Sequence, residues 1–215
     1  MPRIVTIGNV KGGVGKTTAT LNLGAWLAHI QQRPWLIDAD RQGSLTEVMA
    51  QRAEAGDRVP TLAAAHYIDG QNLRAQVQLQ ARNFTHVLID AGGRDSTAFR
   101  AALALSDMVV IPFQPRSLDL WALQGMNELV AEVRALGRPL KALTFLSMAD
   151  IQGNDNREAA QALENFPELA FLDAPLMRRK AFANAIGEGL SVIEQAQQDK
   201  KAVAELAYLA ERLEL

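Results

Sequence analysis

The feature that most constrains this chain is a glycine-rich string set between an apolar run and a helical pattern. Ile4-Val5-Thr6-Ile7 reads as a strand that ends at Gly8. Asn9-Val10-Lys11-Gly12-Gly13-Val14-Gly15-Lys16-Thr17-Thr18 follows, and a helical pattern runs from Thr17 to Gln32. Glycines let the backbone turn tightly and aim several N–H groups at one point. The start of a helix adds the positive end of its dipole, which completes a cradle for phosphate oxygens. In such a cradle Lys16 reaches the β- and γ-phosphates of a nucleotide, and Thr17 offers its hydroxyl to Mg2+. The general pattern, G-x-x-x-x-G-K-[ST], would put its first glycine at position 10, where this chain has Val10 and then Lys11-Gly12-Gly13. An incidental glycine-rich turn is the alternative, and the order strand, loop, helix weighs against it.

Apolar runs recur along the chain at Trp35-Leu36-Ile37, His86-Val87-Leu88-Ile89, Met108-Val109-Val110-Ile111 and Ala142–Leu146, with a weaker one at Leu169–Leu172. They are apolar throughout rather than alternating, which suits strands buried on both faces of a parallel sheet. Helix-length segments separate them, at about Ser44–Ala55, Gln71–Ala81, Ser96–Ser106, Ser117–Leu136, Asn156–Asn165 and Ser191–Leu213. In the last of these Val203, Leu206, Ala207, Ala210 and Leu213 share one face. The alternation predicts an α/β fold: a doubly wound, mostly parallel sheet flanked by helices on both faces, in a single domain over residues 1–215. Ligands of such sheets sit at the carboxyl ends of the strands.

The absence of cysteine excludes disulfides, zinc–thiolate sites, iron–sulfur clusters and thiol nucleophiles. His29, His66 and His86 have no metal-ligand spacing and read as structural; Trp26, Trp35 and Trp121 read as core or rim residues. No segment approaches the roughly 20 apolar residues of a membrane span, and the start has no signal-peptide pattern, so a cytoplasmic protein is expected. The formal net charge is -2, so contact with nucleic acid would need a local basic patch.

The string K-G-G-x-G-K-T-T resembles the deviant Walker A ATPases, the ParA/MinD group, and is most similar to the short ParA-type partition ATPases of the ParF kind. The resemblance spans nearly the whole chain and implies a P-loop ATPase that binds ATP and Mg2+. Residues Lys11, Gly12, Gly13, Val14, Gly15, Lys16, Thr17 and Thr18 fall on its nucleotide-binding loop. Lys11 takes the place of the signature lysine, which reaches across a face-to-face dimer to the partner's nucleotide. A cation supplied in trans stabilises charge spread over phosphate oxygens, and the same contact makes a homodimer nucleotide-dependent. Asp38-Ala39-Asp40-Arg41-Gln42-Gly43-Ser44 resembles the group's D-x-D-P-Q-G switch. The likeness puts Asp38 near Mg2+ and gives Asp40 the attacking water. Capping of the next helix by Asp40 or Ser44 is compatible with that role. Arg41 stands where the group usually has proline. Asp90 closes an apolar strand as in a Walker B segment and is expected to hold Mg2+ through water. Gly92 and Gly93 are expected to bring backbone N–H groups to the γ-phosphate. A proline-bearing loop follows at Pro112–Asp119, with Ser117 or Asp119 as candidate cap. Adenine contacts are expected from Ser147–Asp150 or Asp173–Leu176.

Arg178-Arg179-Lys180 is the densest basic cluster. It precedes Ala181–Val192, which resembles a region that contributes to non-specific DNA binding in ParA proteins; a solvated basic helix start is the alternative. The resemblance implies DNA or plasmid partition: an ATP dimer on non-specific, nucleoid DNA, released when a small centromere-binding adaptor stimulates hydrolysis. Conjugative-transfer adaptors and organelle-positioning ATPases of the same group would carry the same core motifs. Membrane positioning of the MinD type is not expected, because Leu206–Leu215 carries Glu211, Arg212 and Glu214 and lacks a basic polar face. Few residues precede the first strand, so the helix-turn-helix extension of longer members is not expected either.

Overall fold

The computed structural model describes residues 1–115, 120–152 and 154–215. Among them are strands β1 Arg3–Asn9, β2 Pro34–Asp38, β3 Ala63–His66, β4 His86–Gly92, β5 Met108–Phe113, β6 Lys141–Ala149, β7 Ala170–Phe171 and β8 Leu176–Met177. The helices are α1 Lys16–His29, α2 Ser44–Ala53, α3 Gly70–Gln80, α4 Thr97–Leu105, α5 Leu120–Ala135, α6 Asp155–Ala162, α7 Lys180–Gly187 and α8 Lys200–Arg212. The strands form one parallel sheet in the order β3-β2-β4-β1-β5-β6-β7, with β8 pairing β6.

Alternate residues of each strand serve the two faces, which is why the runs are apolar throughout. Val5 and Ile7 of β1, Leu36 of β2, Leu88 of β4 and Val110 of β5 pack with α1, α2, α7 and α8. Trp35 and Ile37, Val87 and Ile89, and Val109 and Ile111 pack with α3, α4, α5 and α6. Trp35 also stacks on Phe84 with ring centroids 5.2 Å apart.

The order places β1 at the centre, with β4 on one side and β5 on the other. The chain reverses its winding there, so the loop after β1 opens at the switch point where such sheets bind ligands. Register carries the acids to the same edge: Asp38 of β2 is the pair of Asp90 in β4, and Ile7 of β1 is the pair of Asp90 on its other side.

Three elements lie outside the expected pattern. β3 is Ala-Ala-Ala-His, an edge strand without the β-branched residues that mark strands in sequence. β8 and α7 are short and follow Pro175 closely. The last helix begins at Lys200 rather than Ser191, because Asp199 caps it: its carboxylate accepts from the Lys201 and Ala202 N–H groups. Ser191 to Val192 is instead a turn pinned by Asn22 of α1, whose Oδ1 accepts from Ser191 Oγ at 2.8 Å and from the Val192 N–H at 3.0 Å. Other ends follow their caps, as at Asp69 before α3 and Ser96 before α4. The expected start of the fifth helix at Ser117, with Asp119, lies outside the described residues.

Candidate functional site

The loop Val10–Gly15 is held from three sides. Asn9, buried at the end of β1, accepts the Lys11 N–H on Oδ1 at 2.9 Å and donates Nδ2 to the Pro112 carbonyl at 2.9 Å. Its own carbonyl accepts from the Gly93 N–H at 2.9 Å. Gln114, just past β5, donates Nε2 to the Gly13 carbonyl at 2.7 Å. The last residues of β6 lie against the loop as well: a Cβ at Gly15 would come within 2.6 Å of Ser147 Oγ. Asn9 and Gln114 were not singled out in the sequence. The signal for Asn9 was a polar residue closing an otherwise apolar strand directly before the loop.

Lys16 and Thr17 open α1. Lys16 is buried, and its Nζ donates to the Lys11 carbonyl at 3.0 Å across the loop. Burial pushes its ammonium pKa down, opposed by the charges of Asp90 and then Asp40. Thr17 donates Oγ1 to Asp90 Oδ2 at 2.6 Å. The other oxygen, Asp90 Oδ1, is buried without a hydrogen-bond partner among the described residues. Burial pushes this carboxyl up to about 7, the Thr17 hydrogen bond and Lys16 oppose the rise, and Asp38 and Asp40 add to it. A fully buried carboxylate oxygen with no donor is costly, and such an atom fits a place meant for a cation. A second acceptor group, the Thr17 hydroxyl oxygen, lies beside it.

Asp38 is differently placed. Its Oδ1 accepts from the Asp40 N–H at 3.1 Å, and its Oδ2 accepts from the Thr46 N–H at 2.8 Å and the Thr46 hydroxyl at 2.9 Å. A carboxylate has about four acceptor positions, so three are already taken up, two in anchoring the first turn of α2 and one in holding the Asp40 N–H. Asp40 accepts the Gln42 N–H on Oδ1 at 3.0 Å. Among the described residues no group of three or more His, Cys, Asp or Glu is arranged to hold a metal. A Mg2+ here would therefore draw most of its oxygens from phosphate and water, as this ion commonly does beside one or two carboxylates.

Gly92 and Gly93 behave otherwise than expected. Gly92 is a sheet residue paired with Asn9, and the Gly93 N–H is spent on the Asn9 carbonyl. Their small size has another use. Gly93 has φ of +82°, and a Cβ there would stand 2.8 Å from Asp40 Oδ2; a side chain would push Asp40 away. Asp150, in the segment expected to touch adenine, is buried and its backbone N–H and carbonyl are both bonded to the Asn156 side chain.

The basic cluster is divided. Arg178 and Lys180 are exposed. Arg179 is turned inward onto Glu205 of α8, with Nε 2.8 Å from Oε1, while Glu205 Oε2 accepts the Met177 N–H at 3.1 Å. The pattern downstream has a packing origin too. Gly189, at φ of +68°, lets the turn approach α2 so closely that a Cβ would fall 2.3 Å from the Arg52 nitrogen. Arg52 and Glu194 form a buried ion pair at 2.7 Å, and Arg52 also donates to the Gly189 and Pro60 carbonyls. Of the tryptophans, Trp35 is core, Trp26 half-buried and Trp121 almost wholly exposed.

A larger groove of about 710 Å³ lies between α3, α4 and α5, lined by Leu103, Leu129 and Val133 among others. It contains no residue of the loop, so the chemistry above is not there.

A family model for the CobQ/CobB/MinD/ParA nucleotide binding domain matches residues 5–192. The maintenance of carboxysome distribution protein A of Halothiobacillus neapolitanus is 31% identical over 204 residues, covering 94% of this chain and 92% of that protein. The chromosome-partitioning ATPase Soj of Thermus thermophilus is 29% identical over 221 residues, with 90% and 88% covered. Among solved structures, apo McdA of Cyanothece superposes with a TM-score of 0.79 at 19% identity, over 99% of this chain and 100% of that one. The cell division ATPase MinD of Pyrococcus furiosus gives 0.76 at 21% identity, over 100% and 99%. At those identities the structural likeness speaks for the fold.

Proposed function

The chain belongs to the CobQ/CobB/MinD/ParA nucleotide-binding family, and from that premise we propose that it is a ParA-type ATPase switched by ATP. One observation carries the reading. Lys16, Thr17 and Asp90 meet under the glycine loop, with Thr17 Oγ1 2.6 Å from Asp90 Oδ2 and the second Asp90 oxygen unpartnered. Loop N–H groups and Lys16 bind the phosphates. Thr17 and Asp90 would hold Mg2+, with Asp38 adding its remaining acceptor position. When bound, the ion neutralises charge on the β- and γ-phosphate oxygens. Asp40, held close by Gly93, orients the water that attacks the γ-phosphorus; ADP and phosphate leave. Lys11 reaches the nucleotide of a second copy, so two copies associate when the triphosphate is present. The surface beside the loop suits such a contact. Leu120 and Trp121 are exposed at the start of α5, one turn before Gly125, whose Cβ position is 3.6 Å from Val10. Exposed tryptophan is enriched at the centres of protein interfaces.

The switch acts on DNA in this reading. Arg178 and Lys180 supply exposed cations near the start of α7, doubled by the twofold of the dimer, and such contacts are independent of base sequence. Arg179 is given a lesser part in this reading, because its guanidinium is bonded to Glu205. A small adaptor stimulates hydrolysis and release, on the cytoplasmic nucleoid. No helix among the described residues is long and apolar enough to cross a membrane. The cargo is a chromosome, a plasmid or a protein body, since both partition and carboxysome-distribution proteins are similar to this chain.

Retention on random-sequence duplex DNA tests the proposal. ATP but not ADP should retain the protein, and both Lys16→Ala and the double change Arg178→Ala/Lys180→Ala should release it. Absence of retention at low salt, with nucleotide bound, would contradict the DNA step. It would favour the adaptor reading, in which the same switch acts on a protein partner.

A further inference from the structure

A cleft of about 390 Å³ lies beside the phosphate loop on the side of Asp40. Gly12, Asp40, Arg41, Gln42, Gly93 and Arg94 line it. Two of these are arginines, and nothing derived above uses them. Both are exposed, and among the described residues neither guanidinium makes an ion pair or hydrogen bond. Four arginines elsewhere in the chain are committed to carboxylates: Arg52 to Glu194, Arg100 to Asp95 and Glu132, Arg134 to Glu168, and Arg179 to Glu205; Arg41 and Arg94 differ from the other unpaired surface arginines in lining this cleft. Arg94 is next to Asp95 in sequence, yet Asp95 pairs with Arg100 instead. The cleft therefore presents two uncommitted cations.

The backbone fixes where they stand. Arg41 is the second residue of a turn closed by the Gly43 N–H on the Asp40 carbonyl at 3.1 Å. Arg94 follows Gly93, whose N–H is anchored on Asn9 at the root of the loop. Arg41 and Arg94 thus come to the cleft beside Asp40 from the ends of different strands, β2 and β4.

A further anion at this end of the sheet needs added positive charge, because Asp38, Asp40 and Asp90 gather there and outnumber Lys11 and Lys16. The terminal phosphoryl group of a triphosphate would bring further negative charge to the Asp40 side. Planar guanidinium forks match the tetrahedral oxygens of a phosphoryl group and bind them with charge-assisted hydrogen bonds. We propose that Arg41 and Arg94 form an anion subsite for the terminal phosphoryl group of the bound nucleotide, so that they set the preference for triphosphate over diphosphate. The subsite rests on the ATPase reading above and adds to it a sensor built from residues outside the phosphate loop.

Calorimetric titration of the full chain with a non-hydrolysable ATP analogue and, separately, with ADP, both with Mg2+, tests this. Arg41→Ala/Arg94→Ala should weaken the analogue by roughly tenfold or more while ADP changes less than about twofold. Arg94→Lys in the Arg41→Ala background should recover part of the loss, because charge is restored without the fork. Both positions are exposed, so the variants should keep the thermal midpoint of the parent chain. An unchanged ratio of analogue to ADP affinity in the double variant would overturn the subsite and leave the ATPase reading standing. Loss of DNA retention with that ratio unchanged would also overturn it, by moving the arginines to the DNA surface. Failure of the parent chain to bind either nucleotide would overturn both.

Discussion

Asp90 shows most clearly what the site costs. Its carboxyl is buried, holds one hydrogen bond on Oδ2 and none on Oδ1, and is pushed up to about 7 by that burial. A carboxyl raised in this way binds its proton more tightly in the folded chain than in the unfolded one. It favours folding fully below its ordinary value of about 4, and that contribution is lost as pH rises toward about 7. Asp90→Asn removes the buried charge. In urea unfolding without nucleotide or Mg2+, the variant should gain on the parent between about pH 4 and pH 8, by on the order of 2 kcal/mol, while ATP hydrolysis falls to background. A parent chain more stable than the variant at the upper pH would contradict this. Such residues were legible from the sequence because each ends an apolar strand or sits in the loop. Asp38 was legible in place but not in partner, since its bonds to Thr46 depend on how α2 is set down. Asn9 was missed because its three contacts reach Lys11, Pro112 and Gly93, and two of those are brought near only by the sheet.

At the scale of elements, α2 links the site to the far turn. Its first turn is tied to Asp38 through Thr46, and its last turn holds Glu194 through Arg52. Arg52→Met alone should destabilise the chain by about 3–5 kcal/mol, because it strands the Glu194 charge in the interior. Arg52→Met/Glu194→Leu should recover most of that in a chemical denaturation series; if the double change is as damaging as the single one, the loss lies in packing rather than charge. The basic cluster separates in the same way. Arg179→Ala should lower stability by about 1 kcal/mol through its half-buried pair with Glu205. Arg178→Ala/Lys180→Ala should leave stability within about 0.5 kcal/mol and cut DNA retention. Three neighbouring cations look alike in the sequence; the carboxylate that claims one of them is 26 positions away. The same distance problem hid the origin of Gly189, which answers to the backbone of Arg52. Helices with strong caps and long apolar runs were legible. β3 was not, because three alanines carry no strand signal and only pairing with β2 makes them one.

For the whole molecule, the parallel sheet brings loop, acids and cleft to one end and leaves Gly12 and Gly13 exposed, while α5, which meets the loop where Gly125 approaches Val10, leaves Leu120 and Trp121 exposed at its start. A site open on that side has its water excluded only when something covers it, and in this account the cover is a second copy carrying Lys11. The alternation of strands and helices made the architecture legible, whereas the partner face was not, because it depends on which apolar residues the finished fold leaves outside. The central claim is that triphosphate at this edge draws two copies together. It is tested most directly by the light-scattering mass of the Asp40→Ala chain, which is expected to bind ATP without turning it over. With Mg2+ and ATP the mass should double, with Mg2+ and ADP it should stay that of one chain, and adding Lys11→Ala should keep it there in both. An equal mass under ATP and ADP, with each nucleotide shown to be bound, would contradict the account.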